Sequence, residues 1–300
     1  MALQKLIWAE LAVEEFEEAL EFNVEVLGLS VVAKEGDAVH LSCDLDDPHA
    51  QLVLSPGGTG VRSFALGVDS EDELARFASR LAEIDVKTQR RSDARPEQPV
   101  SLAFRLPTGQ EVVLVPRPDR PLYRHQGFDR SSLRRGVGVA DIDHITVAFS
   151  DDAQARATAH VLTEGLGFRV SDVFVNADDE WLAAWTRAGE VHHDVGLIRC
   201  QPGASLHHLA WTVDNMEHHK RAADTLASAG HLLETGPGRH GVGGNLYSYL
   251  WTPGGNRYEL SAEMPRILGD RTDPLVRKAG EFNSFSAWGA PRPESFTRGS

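Results

Sequence analysis

The chain has 300 residues, 41% of them hydrophobic, enough to bury a core in about two domains, which excludes a disordered chain. Its 30 Lys and Arg against 44 Asp and Glu leave a formal net charge of −14, which argues against nucleic acid or an anionic membrane as the main partner. No apolar run approaches the roughly 18 residues of a membrane-spanning helix, Met1-Ala2-Leu3-Gln4-Lys5 does not open a signal peptide, and the expected compartment is the cytoplasm.

In chain order, Leu6 to Val13 reads as a strand. A helix follows, in which Phe16, Leu20, Val24 and Leu27 fall on one stripe and Gly28 ends the run. Val61 to Asp69 alternates as a second strand and runs into a helix with a capping box, Ser70 and Glu73; a Pro-x-Gly turn at Pro107 to Gly109 then joins two more strands. The stretch from Pro116 to about Val139 carries no period and reads as a linker. Beyond it the theme repeats. Ile142 to Phe149 is a strand before a helix, and Leu206 to Asp214 lines up with Val61 to Asp69, with a capping box at Asp214 and Glu217 and a turn at Pro253 to Gly255. Each unit is strand, helix and about three strands. Four such βαβββ modules, paired two and two, predict an α+β protein with domains at 1–125 and 140–265 and a tail over 266–300. Each half is a curved mixed sheet with helices outside and a cup within.

Only Cys43 and Cys200 are present, so any metal must be held by His and carboxylate, and the chain has 13 histidines. Strand alternation sends Ile145, Val147 and Phe149 to the helices and leaves His144 and Thr146 facing the cup. The same logic turns Leu209, Trp211 and Val213 outward and His208 inward, and places Glu259 between Tyr258 and Leu260. Two histidines and a carboxylate from three strands, with open positions beside them, is the arrangement of non-haem Fe(II) oxygenases. The N-terminal half is an internal control: the matching positions are Trp8, Ser63 and Val113. The fold does not demand these ligands, so the C-terminal half alone is expected to hold a metal.

With those residues in view, the chain resembles the type I extradiol catechol dioxygenases of the vicinal oxygen chelate (glyoxalase/bleomycin resistance/dioxygenase) superfamily. The resemblance is architectural over almost the whole chain and sharp over 142–261. It implies metal ligands at His144 in Asp-His-Ile, His208 in Leu-His-His-Leu and Glu259 in Asn-Arg-Tyr-Glu-Leu. It also implies Fe(II), with Mn(II) accepting the same set. It places an acid/base residue at His193 beside the dioxygen position, and His240 and Tyr249 as hydrogen-bonding partners of a catechol oxygen. The implied partners are a catechol and dioxygen, in a homo-oligomer that opens the ring in aromatic catabolism. Trp185, eight residues before His193, matches a substrate-binding Trp of the homoprotocatechuate branch, whereas Thr146 and Thr235 stand where that branch carries Asn and Arg. In the tail, Arg292 or Arg298 is expected at the pocket mouth, with an exposed, unpacked tail as the alternative.

Other residues take plainer readings. His193 is placed in a strand from Val191 to Leu197 beside the His208 strand. His207 is expected to point to the opposite face and pack there, and His192 has no assigned role. His218, His219 and His231 are expected to be solvated, and Trp8, Trp181, Trp211 and Trp251 to lie in the core. Two rival functions share the fold. A glyoxalase-like metalloenzyme draws ligands from paired modules, and a non-catalytic antibiotic-binding protein has no use for a metal triad.

Overall fold

The computed structural model describes residues 3–43, 49–95, 98–116, 134–267, 273–280, 283 and 285–300. The first module is β1 (Leu3–Val13), α1 (Phe16–Glu21, continuing as a π-helical turn over Phe22–Val26), β2 (Ser30–Glu35), β3 (Ala38–Ser42) and β4 (Leu52–Pro56). The second is β5 (Val61–Val68), α2 (Glu71–Glu83), β6 (Thr88–Arg95), β7 (Gln98–Arg105) and β8 (Glu111–Pro116). After the linker, most of which lies outside the described residues, come β9 (Asp141–Phe149), α3 (Asp152–His160, with a π turn over Val161–Gly165), β10 (Arg169–Val175), β11 (Trp181–Arg187) and β12 (Val195–Arg199). The fourth module is β13 (Leu206–Thr212), α4 (Met216–Ser228), β14 (Thr235–Arg239), β15 (Leu246–Trp251) and β16 (Arg257–Ala262), and the tail adds β17 (Leu275–Lys278).

The strands form two sheets, ordered β2-β3-β4-β1-β5-β8-β7-β6 and β14-β15-β16-β13-β9-β12-β11-β10-β17. In each, the first strands of the two modules pair antiparallel at the centre and each pairs parallel with the last strand of its own module. This is the expected α+β arrangement of four βαβββ modules. One apolar cluster, from Leu6 and Phe22 to Trp211 and Leu260, runs through both halves. Polar pins join them: Tyr258 donates to Asn23 Oδ1 at 3.0 Å, Asn256 Nδ2 to the Ala12 carbonyl at 2.8 Å and Gln110 Nε2 to the Ser205 carbonyl at 2.7 Å.

Several local expectations are corrected. The π turn re-phases α1, so Ala19, Phe22, Asn23 and Leu27 are buried while Phe16, Leu20 and Val24 are half-buried at its flank. Ser70 makes no side-chain cap. On α4 the cap is Asn215, whose Oδ1 accepts from the His218 amide at 3.1 Å, and Asp214 pairs with Arg134. His218 and His219 are buried, not solvated, because their side of α4 faces the protein interior: His218 Nε2 donates to the Val137 carbonyl at 2.7 Å, and His219 Nδ1 lies 2.9 Å from Ser248 Oγ. His231, half-buried, packs edge-on against the Phe22 ring. Trp8 and Trp211 are core residues; Trp181 and Trp251 are half-buried under the guanidinium groups of Arg156 and Arg257. No helix among the described residues is long and apolar enough to cross a membrane.

Candidate metal centre and active site

His144, His208 and Glu259 sit on β9, β13 and β16, three consecutive strands of the second sheet, and pairing register places His208 opposite Thr146 and Ala210 opposite Glu259. Alternation then turns the three side chains to one face. All are buried, and one donor atom from each meets the others within 4.8 Å. His144 Nε2 is 3.2 Å from His208 Nε2 and 3.2 Å from Glu259 Oε2, and His208 Nε2 is 3.0 Å from the same oxygen. With metal–ligand bonds of about 2.1 Å, donors at right angles lie about 3.0 Å apart and tetrahedral ones about 3.4 Å. The spacing therefore fits three ligands on one face of a six-coordinate ion, and the N,N,O donor set suits Fe(II) or Mn(II).

Each candidate ligand is held from behind, which leaves the atom that faces the cluster available to a metal. His144 Nδ1 is 3.3 Å from Asp143 Oδ2, and Glu259 Oε1 accepts from Asn245 Nδ2 at 3.1 Å. His208 Nδ1 is 2.6 Å from His207 Nδ1, and His207 Nε2 donates to the Phe296 carbonyl at 2.6 Å. This corrects the outward placement of His207. A β-bulge between Leu206 and His208 breaks the alternation there, and the His207 ring turns onto Phe296.

Without a metal the cluster stores a proton. Burial opposes charge on His144, but hydrogen bonds to Asp143 and Glu259 outweigh it and push its pKa up to about 10. Burial also opposes ionised Glu259, yet its histidine partners hold it well below the usual carboxylate range. Burial lowers His208 to about 4.

A cavity of about 800 Å³ opens over this cluster, and His193, His240, Tyr249 and Trp185 all line it with the three candidate ligands. The His193 ring centroid is 4.2 Å from that of His144. Burial and the neighbouring His144 charge push the His193 pKa well down, so its ring is neutral. His193 lies before β12, not within a strand, and β12 pairs with β9 and β11; its ring is therefore presented from beside the His144 strand, not the His208 strand. His240 Nδ1 donates to the Phe285 carbonyl at 2.8 Å, which leaves Nε2 to accept from the Tyr249 hydroxyl at 2.9 Å. Burial and Glu259 hold that phenol protonated by raising its pKa well above the usual value.

The tail forms one wall of the cavity. Phe285, Phe296, Arg292 and Arg298 line it, the two arginines exposed, and the last residues are tied back by the Ser300 amide donating to Leu206 O at 2.7 Å. Thr146 and Thr235 do not line it. The residues that sequence reasoning passed over are the supports: Asp143, Asn245, His192 and His207. Only the doubled histidines at 192–193 and 207–208 gave a visible sign.

Residues 141–260 match the Glyoxalase/Bleomycin resistance protein/Dioxygenase superfamily. A manganese-dependent 2,3-dihydroxybiphenyl 1,2-dioxygenase of Geobacillus genomosp. 3 is 26% identical over 288 residues, covering 92% of this chain and 90% of that protein. A metapyrocatechase of Geobacillus stearothermophilus is 24% identical, covering 91% and 85%. Among solved structures, homoprotocatechuate 2,3-dioxygenase of Arthrobacter globiformis superposes with a TM-score of 0.82 at 24% identity, covering 99% of this chain and 91% of that one. The chain thus shares the two-sheet architecture of the extradiol dioxygenases, and its His-His-Glu cluster lies within the segment that matches the glyoxalase/bleomycin resistance protein/dioxygenase superfamily.

Proposed function

We propose that this chain is an extradiol dioxygenase: it joins a catechol to dioxygen and cleaves the ring bond beside the two hydroxyls, giving a 2-hydroxymuconic semialdehyde-type product. The observation that carries this is the spacing of His144, His208 and Glu259 at the floor of a cavity that His193, His240 and Tyr249 also line. Fe(II) is the proposed metal, with Mn(II), named for one relative, as its competitor. Held by His144, His208 and Glu259, such an ion would bring a catechol and dioxygen together and would let charge pass between them.

The protein's own residues do the rest. His240, fixed by the Phe285 carbonyl, exchanges its hydrogen bond from Tyr249 for one from a catechol hydroxyl and takes up that proton at Nε2, and the released, protonated Tyr249 phenol donates to the oxygen left behind. Neutral His193, next to His144, takes up the second proton and returns it to assist cleavage of the O–O bond. Trp185, Leu182 and Phe296 wall off water around the ring. The cavity also exceeds what a bare catechol fills, so a substituted catechol is the proposed substrate.

A glyoxalase-like use of the fold would need ligands from paired modules, and the N-terminal positions Trp8, Ser63 and Val113 supply none. The test is anaerobic loading with Fe(II) or Mn(II), then aeration with catechol, 3,4-dihydroxyphenylacetate and 2,3-dihydroxybiphenyl. A yellow ring-fission product from at least one is expected; metal-loaded protein inert toward all three overturns the reading.

A further inference from the structure

His192 was left without a role by the sequence, and the structure places it in a chain of buried groups directed at His193. Its Nε2 is 2.9 Å from Asp172 Oδ2, and its Nδ1 is 3.0 Å from His193 Nδ1. Asp172 Oδ1 accepts from Arg277 Nε at 2.9 Å, so the carboxylate is engaged as an acceptor on both oxygens. The hydrogen on His192 is therefore at Nε2. Its bare Nδ1 then accepts from His193, which must carry its hydrogen at Nδ1 and leave Nε2 free. Neutral imidazole in water prefers the other form, with hydrogen at Nε2.

The His192 backbone is fixed at both ends. Its amide donates to the Pro265 carbonyl at 2.8 Å, and its carbonyl accepts from Ser171 Oγ at 2.7 Å. His192 does not line the main cavity; with Asp172 and Arg277 it borders a separate one of about 290 Å³. It thus touches His193 without touching reactants. The neighbouring pair repeats the device: His207 accepts at Nδ1 from His208 and is itself anchored through Nε2, on Phe296.

We propose that His192, anchored by Asp172, is a positioning residue that fixes His193 in the Nδ1–H tautomer and so presents a basic Nε2 to the reactants. This rests on His193 being the acid/base residue. Such an anchored histidine works as the carboxylate of a catalytic triad does, by orienting the ring and selecting its tautomer.

The test uses ¹⁵N-histidine-labelled protein loaded with diamagnetic Zn²⁺, in which NMR reads which His193 nitrogen carries hydrogen. Wild type is expected as Nδ1–H, as is His192→Gln, whose amide both accepts from His193 and donates to Asp172. His192→Leu, which does neither, is expected to revert to Nε2–H. In iron-loaded enzyme His192→Leu should lose about 10- to 100-fold in kcat, with the KM for catechol within about threefold of wild type, and His192→Gln should recover most of it. Asp172→Asn, which keeps shape and removes charge, should give a mixed tautomer even if the Leu variant does not fold. In a His193→Phe background, His192→Leu should cost nothing further. An unchanged His193 tautomer in His192→Leu and Asp172→Asn, or equal turnover by the Leu and Gln variants, overturns the proposal. Wild-type turnover by His193→Phe alone overturns the acid/base reading instead, whatever the tautomer.

Discussion

The two halves of this molecule share one topology and differ in what fills the cup. In the N-terminal sheet Trp8 and Val113 stand where His144 and Glu259 stand in the other, and they pack with Ala65, Ala103 and Val115 as an apolar cluster. Ser63, in place of His208, donates to Glu10 Oε2 at 3.0 Å, and Ser55 donates to the other oxygen at 2.8 Å. In the C-terminal sheet the same positions carry a buried histidine pair and a carboxylate beneath an open cavity. The fold is satisfied by either filling. A buried carboxylate with two imidazoles is costly unless a cation or a shared proton compensates it, so its presence in one half only is best explained by chemistry.

The largest way to break this contrast is Glu259→Gln, which removes the anionic ligand and the charge that draws a cation in. Metal loading of the C-terminal half is expected to fall by more than about 100-fold, beyond the range for outer-shell changes. Elemental analysis reads it, against one metal per chain in wild type. Next, His193→Phe is expected to retain the metal and lower kcat by about 10² to 10⁴, with less effect on KM, as for a group that acts mainly in the transition state. Steady-state kinetics at quantified metal content decides it. Conversely, Val113→Glu puts the carboxylate into the half that lacks its partners. It should destabilise the protein by about 3 kcal/mol in urea unfolding and create no second metal site.

A pH dependence sharpens the contrast further. The His144 pKa is raised from 6.5 to about 10, so the metal-free protein holds a proton there at neutral pH. The stability this proton contributes to the metal-free fold is complete below the unfolded value and lost as pH rises through the folded one. Metal entry must expel it, so apparent metal affinity should rise about tenfold per pH unit toward the folded value. Calorimetry in buffers of different ionisation enthalpy should count about one proton released per metal. The smallest effect is expected from Arg292→Ala and Arg298→Ala at the exposed cavity mouth. Each should lower kcat/KM for a carboxylated catechol by at most about fivefold and leave a neutral one unchanged.

Much of this was legible in the sequence, for identifiable reasons. Alternation along β9 and β16, and the repeat that aligned Ser63 with His208, gave the inward faces and the ligand set, because a strand's side-chain period is fixed by its backbone. His207 escaped because a bulge adds one residue to the count, which period-2 reading does not register. His218 and His219 escaped because α4 hides them under polar anchors, Val137 O and Ser248 Oγ, that lie 81 and 29 residues away. His192 needed Asp172, 20 residues earlier on β10, before its role had meaning. Supports of this kind are set by tertiary contacts, whereas the ligands are set by local register.

The central claim is that one half binds and presents the metal while its sister does not. Anomalous diffraction at the metal edge, from Fe(II)-loaded crystals soaked anaerobically with a catechol, tests it most directly. The expected result is one peak per chain, about 2.0–2.2 Å from His144 Nε2, His208 Nε2 and Glu259 Oε2, with both catechol oxygens on its cavity side. A peak among Trp8, Ser63 and Val113, or a metal in the C-terminal half that leaves any of the three ligands unbound, would contradict it.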